Sequence, residues 1–227
     1  MKSSGPRKRR THEQRSSAMR KRLLKATLES LSVDGYAGST LSSIVRRAGV
    51  SRGAQVHHYP SKQALMIDAA EYLLKRAYRH LGERLLSIST VDDRLALLVQ
   101  EAWEQIFATP LYRAYCELLA ASQRDPALSD ALRQLVPRVA RLFEPAANYY
   151  FESSDPKQPP ADIFLQLASF LSGLALQAPL LDDDALVRAQ LDGWVRQVSP
   201  LMRARKGVTT PPPRPVPWDS LLEAEAR

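Results

Sequence analysis

The sequence predicts an all-α protein with a small N-terminal module and a larger C-terminal one. Apolar residues recur at the i, i+3, i+4 and i+7 positions of a helix that buries one face. Prolines and Ser, Thr or Asp caps divide this pattern into separate helices, and neither strand-like alternation nor an internal repeat stands out. These three observations favour a helical bundle over an α/β fold.

The first module begins with a long predicted helix over residues 12–34. Its apolar positions repeat at helical spacing, and Asp34-Gly35 ends it before a turn over residues 35–39. The core-facing stripe of this helix consists of Leu24, Thr27, Leu28 and Leu31.

The segment from Thr40 to Lys62 predicts a helix-turn-helix. Gly49 stands where the chain needs a positive φ to leave one helix, and Ser51 is a good N-cap for the next. Pro60 ends the second helix. The second helix of such a motif enters the DNA major groove, so the segment indicates a DNA-binding protein. The apolar stripe of the first short helix consists of Leu41, Ile44, Val45 and Ala48.

The second module is predicted to be helical throughout. A long helix from Ser61 to about residue 88 leads into it, and proline or aspartate signals mark the later boundaries. The remaining predicted features are, in chain order, a helix through residues 95–106, helix starts at Thr109-Pro110 and Asp125-Pro126, kinks or breaks at Pro137 and Pro145, a loop over 153–160, and final helices over about 161–178 and 183–203.

The positive charge lies almost entirely on the helix-turn-helix side. The net charge is +8, and residues 1–60 carry 13 Lys/Arg against three acids, whereas the rest carries 19 against 21. A basic module joined to a near-neutral one is typical of a polyanion binder with a second task. The predicted domains are a basic arm (1–11), a helix-turn-helix domain (12–62), a helical ligand-binding and dimerisation domain (63–203) and a proline-rich tail (204–227).

Other protein classes find little support in the sequence. The basic N-terminus lacks a following apolar segment, no apolar run approaches the roughly 20 residues of a membrane span, and the lone Cys116 suits a reducing cytoplasm. No Gly-x-Ser-x-Gly elbow, Walker loop or dinucleotide fingerprint indicates an enzyme, and no cofactor is expected. His57 and His58 are adjacent, so they point about 100° apart on a helix and cannot easily share a metal ion.

Over residues 20–74 the sequence resembles the tetracycline-repressor (TetR) family of bacterial regulators. The resemblance rests on the long first helix, Ser39-Thr40, the run from Ala48 to Gly53, the His-His-Tyr ending and Pro60-Ser61-Lys62 with Ala64-Leu65 after it. Beyond these residues only the all-α length and order are similar. The resemblance implies a homodimer that binds double-stranded DNA at an inverted-repeat operator and releases it when a small molecule enters the second domain.

The resemblance also implies roles for individual residues. Thr40 and Lys62 would contact phosphates. The recognition helix would present Arg52, Gly53, Ala54 and Gln55 to base edges, with His57, His58 and Tyr59 along the backbone side. Arg52 would pair with guanine and Gln55 with adenine, although Tyr59 could instead pack against the first helix. The family often has Leu-Tyr where this chain has Gln55-Val56, and Val56 cannot donate the phosphate hydrogen bond of an aromatic hydroxyl.

Two further sets of residues are expected in the second module. A pocket for a hydrophobic or amphipathic ligand is predicted among Trp103, Phe107, Tyr112, Tyr115, Cys116, Leu119, Phe143 and Phe170, with core packing as the alternative for each. A four-helix dimer interface is predicted from the last two helices through Phe164, Leu167, Leu171, Leu174, Leu191, Trp194 and Val198, with closure of the monomer core as the alternative.

The leading functional hypothesis is a ligand-responsive repressor that acts in the cytoplasm on a palindromic operator. An activator of the same fold remains an alternative, because the sequence does not separate the two signs of regulation. A nonspecific, charge-driven binder of DNA or of a membrane surface is the other alternative, distinguished by strong salt dependence without sequence preference.

Overall fold

The computed structural model describes residues 12–87, 93–208 and 210, without the side chains of residues 12 and 138. The predicted basic arm and most of the proline-rich tail lie outside these residues. The described chain is all-α, apart from two very short strands. Its elements are α1 (His12–Gly38), α2 (Leu41–Ala48), α3 (Arg52–His58), α4 (Lys62–Ser87), α5 (Arg94–Ala102), a π-helical turn (Trp103–Phe107), α6 (Pro110–Ser122), α7 (Pro126–Tyr150), β1 (Phe151–Ser153), α8 (Pro160–Leu181), α9 (Asp184–Val198) and β2 (Met202–Ala204).

Helix α1 is the element on which both modules pack. Its helical conformation breaks at Gly35 (φ 68°, ψ 177°), which confirms the predicted stop after Asp34, and one further turn follows. Leu23, Leu28 and Leu31 are fully buried in a core that also contains residues of α2, α4, α6 and α7. The predicted domain boundary at residue 62 therefore falls within a continuous apolar core.

A second core holds the distal end of the molecule together. It is formed by α5, the end of α7, α8 and α9, with Leu98, Tyr150 and Leu171 among its fully buried members. The buried Arg94 guanidinium donates to the backbone oxygens of Tyr150 (3.0 Å) and Arg205 (3.1 Å). These charge-assisted bonds tie the start of α5 to the ends of β1 and β2.

The sequence misplaced three features of the distal half. Helix α7 runs unbroken through Pro137 and Pro145, because its apolar face stays packed in the first core on both sides of Pro137. The last helix ends at Val198 instead of residue 203. Antiparallel strands β1 and β2 replace the predicted loop start and helix end, and strands of three residues are too short to leave an alternating pattern.

Helix α8 corrects the expectation that no apolar run approaches membrane-spanning length. Its 22 residues are long and apolar enough to cross a bilayer. A helix of a protein core meets the same criteria, and α8 buries Ile163, Leu167 and Leu171 in the second core. Its opposite side remains apolar and exposed, at Leu165 (57%), Leu176 (60%) and Leu180 (85%).

Replacing Gly49 by Ala should lower the free energy of unfolding by about 1–2 kcal/mol, the cost of a left-handed residue with a Cβ. Gly49 has φ 60°, and an added Cβ would lie 3.2 Å from Arg22 Nη2. Urea denaturation followed by circular dichroism at fixed protein concentration measures the change. The control is Gly82→Ala within α4, where the added Cβ meets no atom within 4 Å; it should raise stability by up to about 1 kcal/mol. Equal effects of the two substitutions would contradict the strain at Gly49.

Candidate nucleic-acid interface and ligand cavity

The first helix of the helix-turn-helix is held at its N-terminus by a capping box. Thr40 Oγ1 accepts the Ser43 N–H at 3.1 Å, and Ser43 Oγ accepts the Thr40 N–H at 3.0 Å. Thr40 is exposed and stands at the positive end of α2. The unbonded N–H groups of the first helical turn and the Thr40 hydroxyl thus form a surface suited to a phosphate.

The turn between α2 and α3 is fastened to α1. Arg22 Nη2 donates to the backbone oxygens of Ala48 and Gly49, both at 2.8 Å. These carbonyls lie at the negative end of α2, where a cation is favourable. Arg47 adds ion pairs to Glu29 (3.1 Å) and Asp34 (2.9 Å) of α1. Helix α2 and the turn that follows it are therefore held against α1.

Helix α3 presents a small, uncluttered outer face. Ser51 caps it by accepting the Ala54 N–H at 3.2 Å. Arg52, Gly53, Val56 and His57 are exposed, whereas Ala54 is half-buried. The guanidinium of Arg52 has no hydrogen bond or ion pair among the described residues, so it is available to a ligand outside the chain.

Gln55 does not belong to this outer face, which corrects its expected role at base edges. It is 2% exposed, and its Nε2 donates to the Tyr59 backbone oxygen. Tyr59 is also buried, and its hydroxyl accepts from Arg20 Nε at 3.5 Å. Burial raises the pKa of Tyr59 to about 12, so the ring is a neutral core member packed toward α1.

His58 and Lys62 are less free than the sequence suggested. Burial lowers the pKa of His58 below its ordinary value, with His57 and Arg20 adding to the shift, so His58 is mainly neutral at pH 7. Lys62 Nζ donates to the Tyr36 backbone oxygen at 2.7 Å and lies 4.1 Å from the Tyr36 ring centroid. Lys62 is thus engaged within the protein, and its expected phosphate contact stays a prediction.

Sequence reasoning missed Arg46. It lies in the last turn of α2, is exposed, and has no hydrogen bond or ion pair among the described residues. Its neighbour Arg47 points back to α1, as described above. Helical spacing could have distinguished the two arginines. Arg47 lies three residues after the buried Ile44 and so shares its face of the helix, whereas Arg46 lies outside the apolar stripe.

A polar junction links the helix-turn-helix to the second module. The Tyr36 N–H donates to Glu117 Oε2 of α6 at 2.9 Å, and the Tyr36 hydroxyl donates to Asp125 Oδ2 at 3.0 Å. Gln63 Nε2 of α4 donates to Asp125 Oδ1 at 2.9 Å. Asp125 also caps α7 at the Leu128 N–H, which is the main reason that its pKa is lowered. The end of α1, the start of α4 and helices α6 and α7 therefore meet at one set of hydrogen bonds.

A cavity of about 410 Å³ lies between the π-helical turn, α6, α8 and α9. We call it the aromatic–acidic cavity. Its aromatic members are Trp103 and Phe107, and its small apolar members are Ala108, Ala175, Ala178, Pro179 and Val187. Its charged members are Arg113, Asp182, Asp183 and Asp184.

Of the eight expected pocket residues, only Trp103 and Phe107 line this cavity. Tyr112 stands directly behind them, with its ring centroid 4.5 Å from that of Phe107 and its hydroxyl 2.5 Å from Ser172 Oγ. The other five belong to packing elsewhere. Tyr115, Cys116, Leu119 and Phe143 pack in or against the first core, and Phe170 stacks on Trp194 at a centroid distance of 6.2 Å.

Most of the expected interface residues already pack within the monomer. The structure places Leu167, Leu171, Leu174, Leu191 and Val198 in the second core, and Phe164 and Trp194 pack against it. Core closure, the alternative at these positions, describes them better. The large apolar residues left exposed on α8 are instead Leu165, Leu176, Leu180 and, to a smaller extent, Leu181.

Replacing Gln55 by Ala should lower the free energy of unfolding by about 1–3 kcal/mol, because the buried Tyr59 carbonyl loses its side-chain donor. Chemical denaturation measures this change. Val56→Ala is the matched control: Val56 is 54% exposed, so its truncation should change stability by no more than about 0.5 kcal/mol. Unchanged stability of the Gln55 variant would return Gln55 to the groove-facing set.

Comparison with known proteins identifies the first of these two regions. A family model described as bacterial regulatory proteins, tetR family, matches residues 23–69, from the buried part of α1 into α4. CymR of Pseudomonas putida, a helix-turn-helix transcriptional regulator, is 34% identical over 131 residues, which are 58% of this chain and 64% of CymR. The chain thus matches slightly less than two thirds of that relative. BetI of Klebsiella pneumoniae, another such regulator, is 26% identical over 80% of this chain and 94% of its own length.

The fold agrees beyond the helix-turn-helix. The crystal structure of a TetR-family regulator from Cytophaga hutchinsonii superposes with a TM-score of 0.64 over 88% of this chain and all of that one, at 15% identity. The relatives are named transcriptional regulators rather than enzymes, in agreement with the interpretation of the sequence. The helix-turn-helix segment of the chain therefore matches the tetR family of bacterial regulatory proteins, and the fold of the chain agrees with that of a TetR-family regulator.

Proposed function

We propose that this protein is a sequence-specific, homodimeric DNA-binding regulator, most simply a repressor, whose affinity for an inverted-repeat operator falls when a small molecule binds its second module. The observation that carries the proposal is the outer face of α3. The first residue of α3, Arg52, carries a guanidinium without a partner among the described residues, and the second, Gly53, has no side chain. Ser51 caps the helix. Such a helix can approach base edges closely and pair with guanine.

Backbone contacts would come from the neighbouring α2. Thr40 and the open N–H groups at the start of α2 offer one phosphate site, and the exposed Arg46 offers another. Arg22 and Arg47 support this surface from behind by fixing α2 to α1. The division between free and bound arginines favours a built DNA-binding face over a diffuse basic surface.

Dimerisation would use the exposed face of α8. Leu165, Ser169, Gly173, Leu176 and Leu180 recur at spacings of three or four residues and form what we call the α8 stripe. The residues at both ends of the stripe are leucines. At its centre lies Gly173, where an added Cβ would meet no atom within 4 Å. Two such stripes can pack closely around a two-fold axis, which would present two α3 helices to an inverted repeat.

The junction at Tyr36 offers a route from ligand to DNA. Any shift of α6 moves Glu117, which accepts a hydrogen bond from the Tyr36 N–H. Any shift of α7 moves Asp125, which accepts hydrogen bonds from the Tyr36 hydroxyl and from Gln63. A ligand that favours one arrangement of these helices would thereby bias the position of the helix-turn-helix. Repression and activation would use the same coupling, so an activator of this fold remains the alternative.

In-vitro selection of random duplex DNA on the purified protein tests the proposal. We expect enrichment of a palindrome whose half-sites are about one DNA turn or somewhat more apart. Binding without enrichment that disappears at moderate salt would replace the proposal by charge-driven, nonspecific binding.

Arg52→Ala should weaken binding to the selected site by about 1–3 kcal/mol, roughly 5- to 150-fold, because one bidentate base contact is lost. The same change should relax specificity at one base position and leave the free energy of unfolding nearly unchanged. Electrophoretic mobility shift titrations at fixed salt measure the effect. Arg141→Ala, which removes an exposed cation of α7, is the control. Equal weakening by both variants on selected and random DNA would remove the base-reading role of Arg52.

Leu176→Glu should dissociate the dimer, since a carboxylate placed in each copy of the α8 stripe would be buried beside its counterpart. Sedimentation velocity at micromolar concentration measures the oligomeric state, and operator affinity should fall with it. Val33→Glu is the matched control, because Val33 is 69% exposed on α1, away from the stripe. A dimer that survives Leu176→Glu would place the interface on another face.

A further inference from the structure

We infer that the aromatic–acidic cavity is a binding site for an organic cation, a substituted ammonium group carried on an apolar or aromatic body. The inference rests on the proposed function in that this cation would be the effector. It names the ligand's chemical class from four features of the cavity: its aromatic wall, its apolar floor, its excess of carboxylates and the capping of α9 by a carboxylate of its own chain.

The aromatic wall comes from the π-helical turn. Trp103 and Phe107 are four residues apart, and both line the cavity. Both are half-buried, so part of each ring remains accessible. Trp is the side chain that attracts cations most strongly through its ring face. π-helical turns are rare and occur disproportionately at functional sites.

The apolar part of the lining, which we call the floor, includes Ala175 and Ala178 of α8 and Val187 of α9. Two alanines leave room that larger side chains would fill, and the volume of about 410 Å³ suits a compact organic molecule. An apolar floor cannot replace the hydration shell of a small inorganic cation, whereas it favours the methylene and methyl groups of a substituted ammonium ion.

Charge distinguishes a cation from an anion here. Asp182, Asp183 and Asp184 line the cavity, and Arg113 is the one basic residue in its lining. An anion could otherwise use the N-terminus of α9, but Asp183 Oδ1 already accepts the N–H groups of Ala185 (2.9 Å) and Leu186 (3.0 Å). Two N–H groups of this helix end are therefore already bonded to a carboxylate of the chain, and the surplus charge of the cavity is negative.

The carboxylates are not arranged as metal ligands. Within residues 12–87, 93–208 and 210, no three His, Cys, Asp or Glu side chains are grouped so as to hold a metal ion. Carboxylates that do not converge on one point attract a diffuse charge better than a compact one. A substituted ammonium ion, whose charge is spread over several carbon-bearing positions, matches that arrangement.

The cavity is separate from the α8 stripe. At 100° per residue, Ala175 and Ala178 lie about 100–160° around α8 from Leu176 and Leu180, whereas Pro179 lies about 60° from Leu176. A dimer formed through the stripe therefore leaves Ala175 and Ala178 on another face, with Pro179 between the two. Arg113 of the cavity and Glu117 of the junction lie one turn apart on α6, so a cation placed near Arg113 acts on the helix that holds Tyr36.

Isothermal titration calorimetry of the full-length protein tests the inference with three probes that share one benzene ring and differ in charge. These are benzyltrimethylammonium (cation), benzyl alcohol (neutral) and benzoate (anion). We expect one cation bound per chain, with the neutral and anionic probes at least tenfold weaker. No measurable binding of the cation up to millimolar concentration would overturn the inference. Equal affinities, which indicate a merely apolar cavity, or tighter binding of benzoate would also overturn it.

Three variants assign the bound cation to this cavity. The double variant Asp182→Asn, Asp184→Asn keeps the capping residue Asp183, and Asn tolerates the left-handed backbone of Asp182 (φ 46°). It should weaken cation binding at least tenfold, and Trp103→Leu should do the same. Arg113→Ala should tighten it by removing a like charge. Asp162→Asn, an exposed acid at the start of α8, is the control and should change nothing. Loss of cation binding in Arg113→Ala, or its retention in the Asp double variant, would contradict the assignment.

A final measurement separates this inference from the proposed function. The selected DNA site is titrated with protein in the presence and absence of benzyltrimethylammonium. If the protein binds a palindrome but no cation, the inference fails and the regulator stands. If the cation binds as expected and no DNA sequence is enriched, the cavity assignment stands and the proposed function fails. Release of the operator by the cation, reduced in the Asp double variant, supports both.

Discussion

Helix α1 packs against helices of both modules, and the rest of the structure depends on this constraint. Leu23, Leu28 and Leu31 are buried in a core that includes Ile44 of α2, Leu65 of α4 and Leu118 of α6. Because protein interiors are close-packed, displacement of any one of these helices must be accommodated by the others. The small DNA-binding module thus has no independent core, and its orientation depends on helices of the larger module.

Polar contacts then decide which basic residues of the first module face outward. Arg22 and Arg47 are held by carbonyl and carboxylate oxygens, and Lys62 by the Tyr36 backbone oxygen. Arg46 and Arg52 are left without such partners among the described residues. Exposed ion pairs contribute little to stability, but here they fix helix orientation and separate supporting cations from those available to DNA. The positive charge of the module is therefore organised by its own internal contacts.

Helix α8 is apolar on two sides, and this explains its unusual apolarity. One side closes the second core through Leu167 and Leu171 and, toward its C-terminal end, lines the aromatic–acidic cavity through Ala175 and Ala178, whereas the other side carries the α8 stripe. A helix with apolar contacts all round resembles a membrane span by composition alone. Its partners, and not its hydropathy, distinguish the two interpretations.

The sequence by itself determined the all-α class, the helix-turn-helix and most helix boundaries, because capping residues, prolines and the left-handed Gly49 act over three or four residues of chain. It did not determine that α7 continues through Pro137, since that outcome depends on packing against distant helices. Nor did it determine that Gln55 is buried or that Lys62 turns inward to Tyr36, 26 residues away. A helical stripe such as Leu167, Leu171 and Leu174 shows that a face is buried, but not whether the same chain or a second one buries it. Only the tertiary structure decided these points and brought Trp103 and Phe107 against Asp182–Asp184, because such contacts join residues whose separation along the chain carries no local signal.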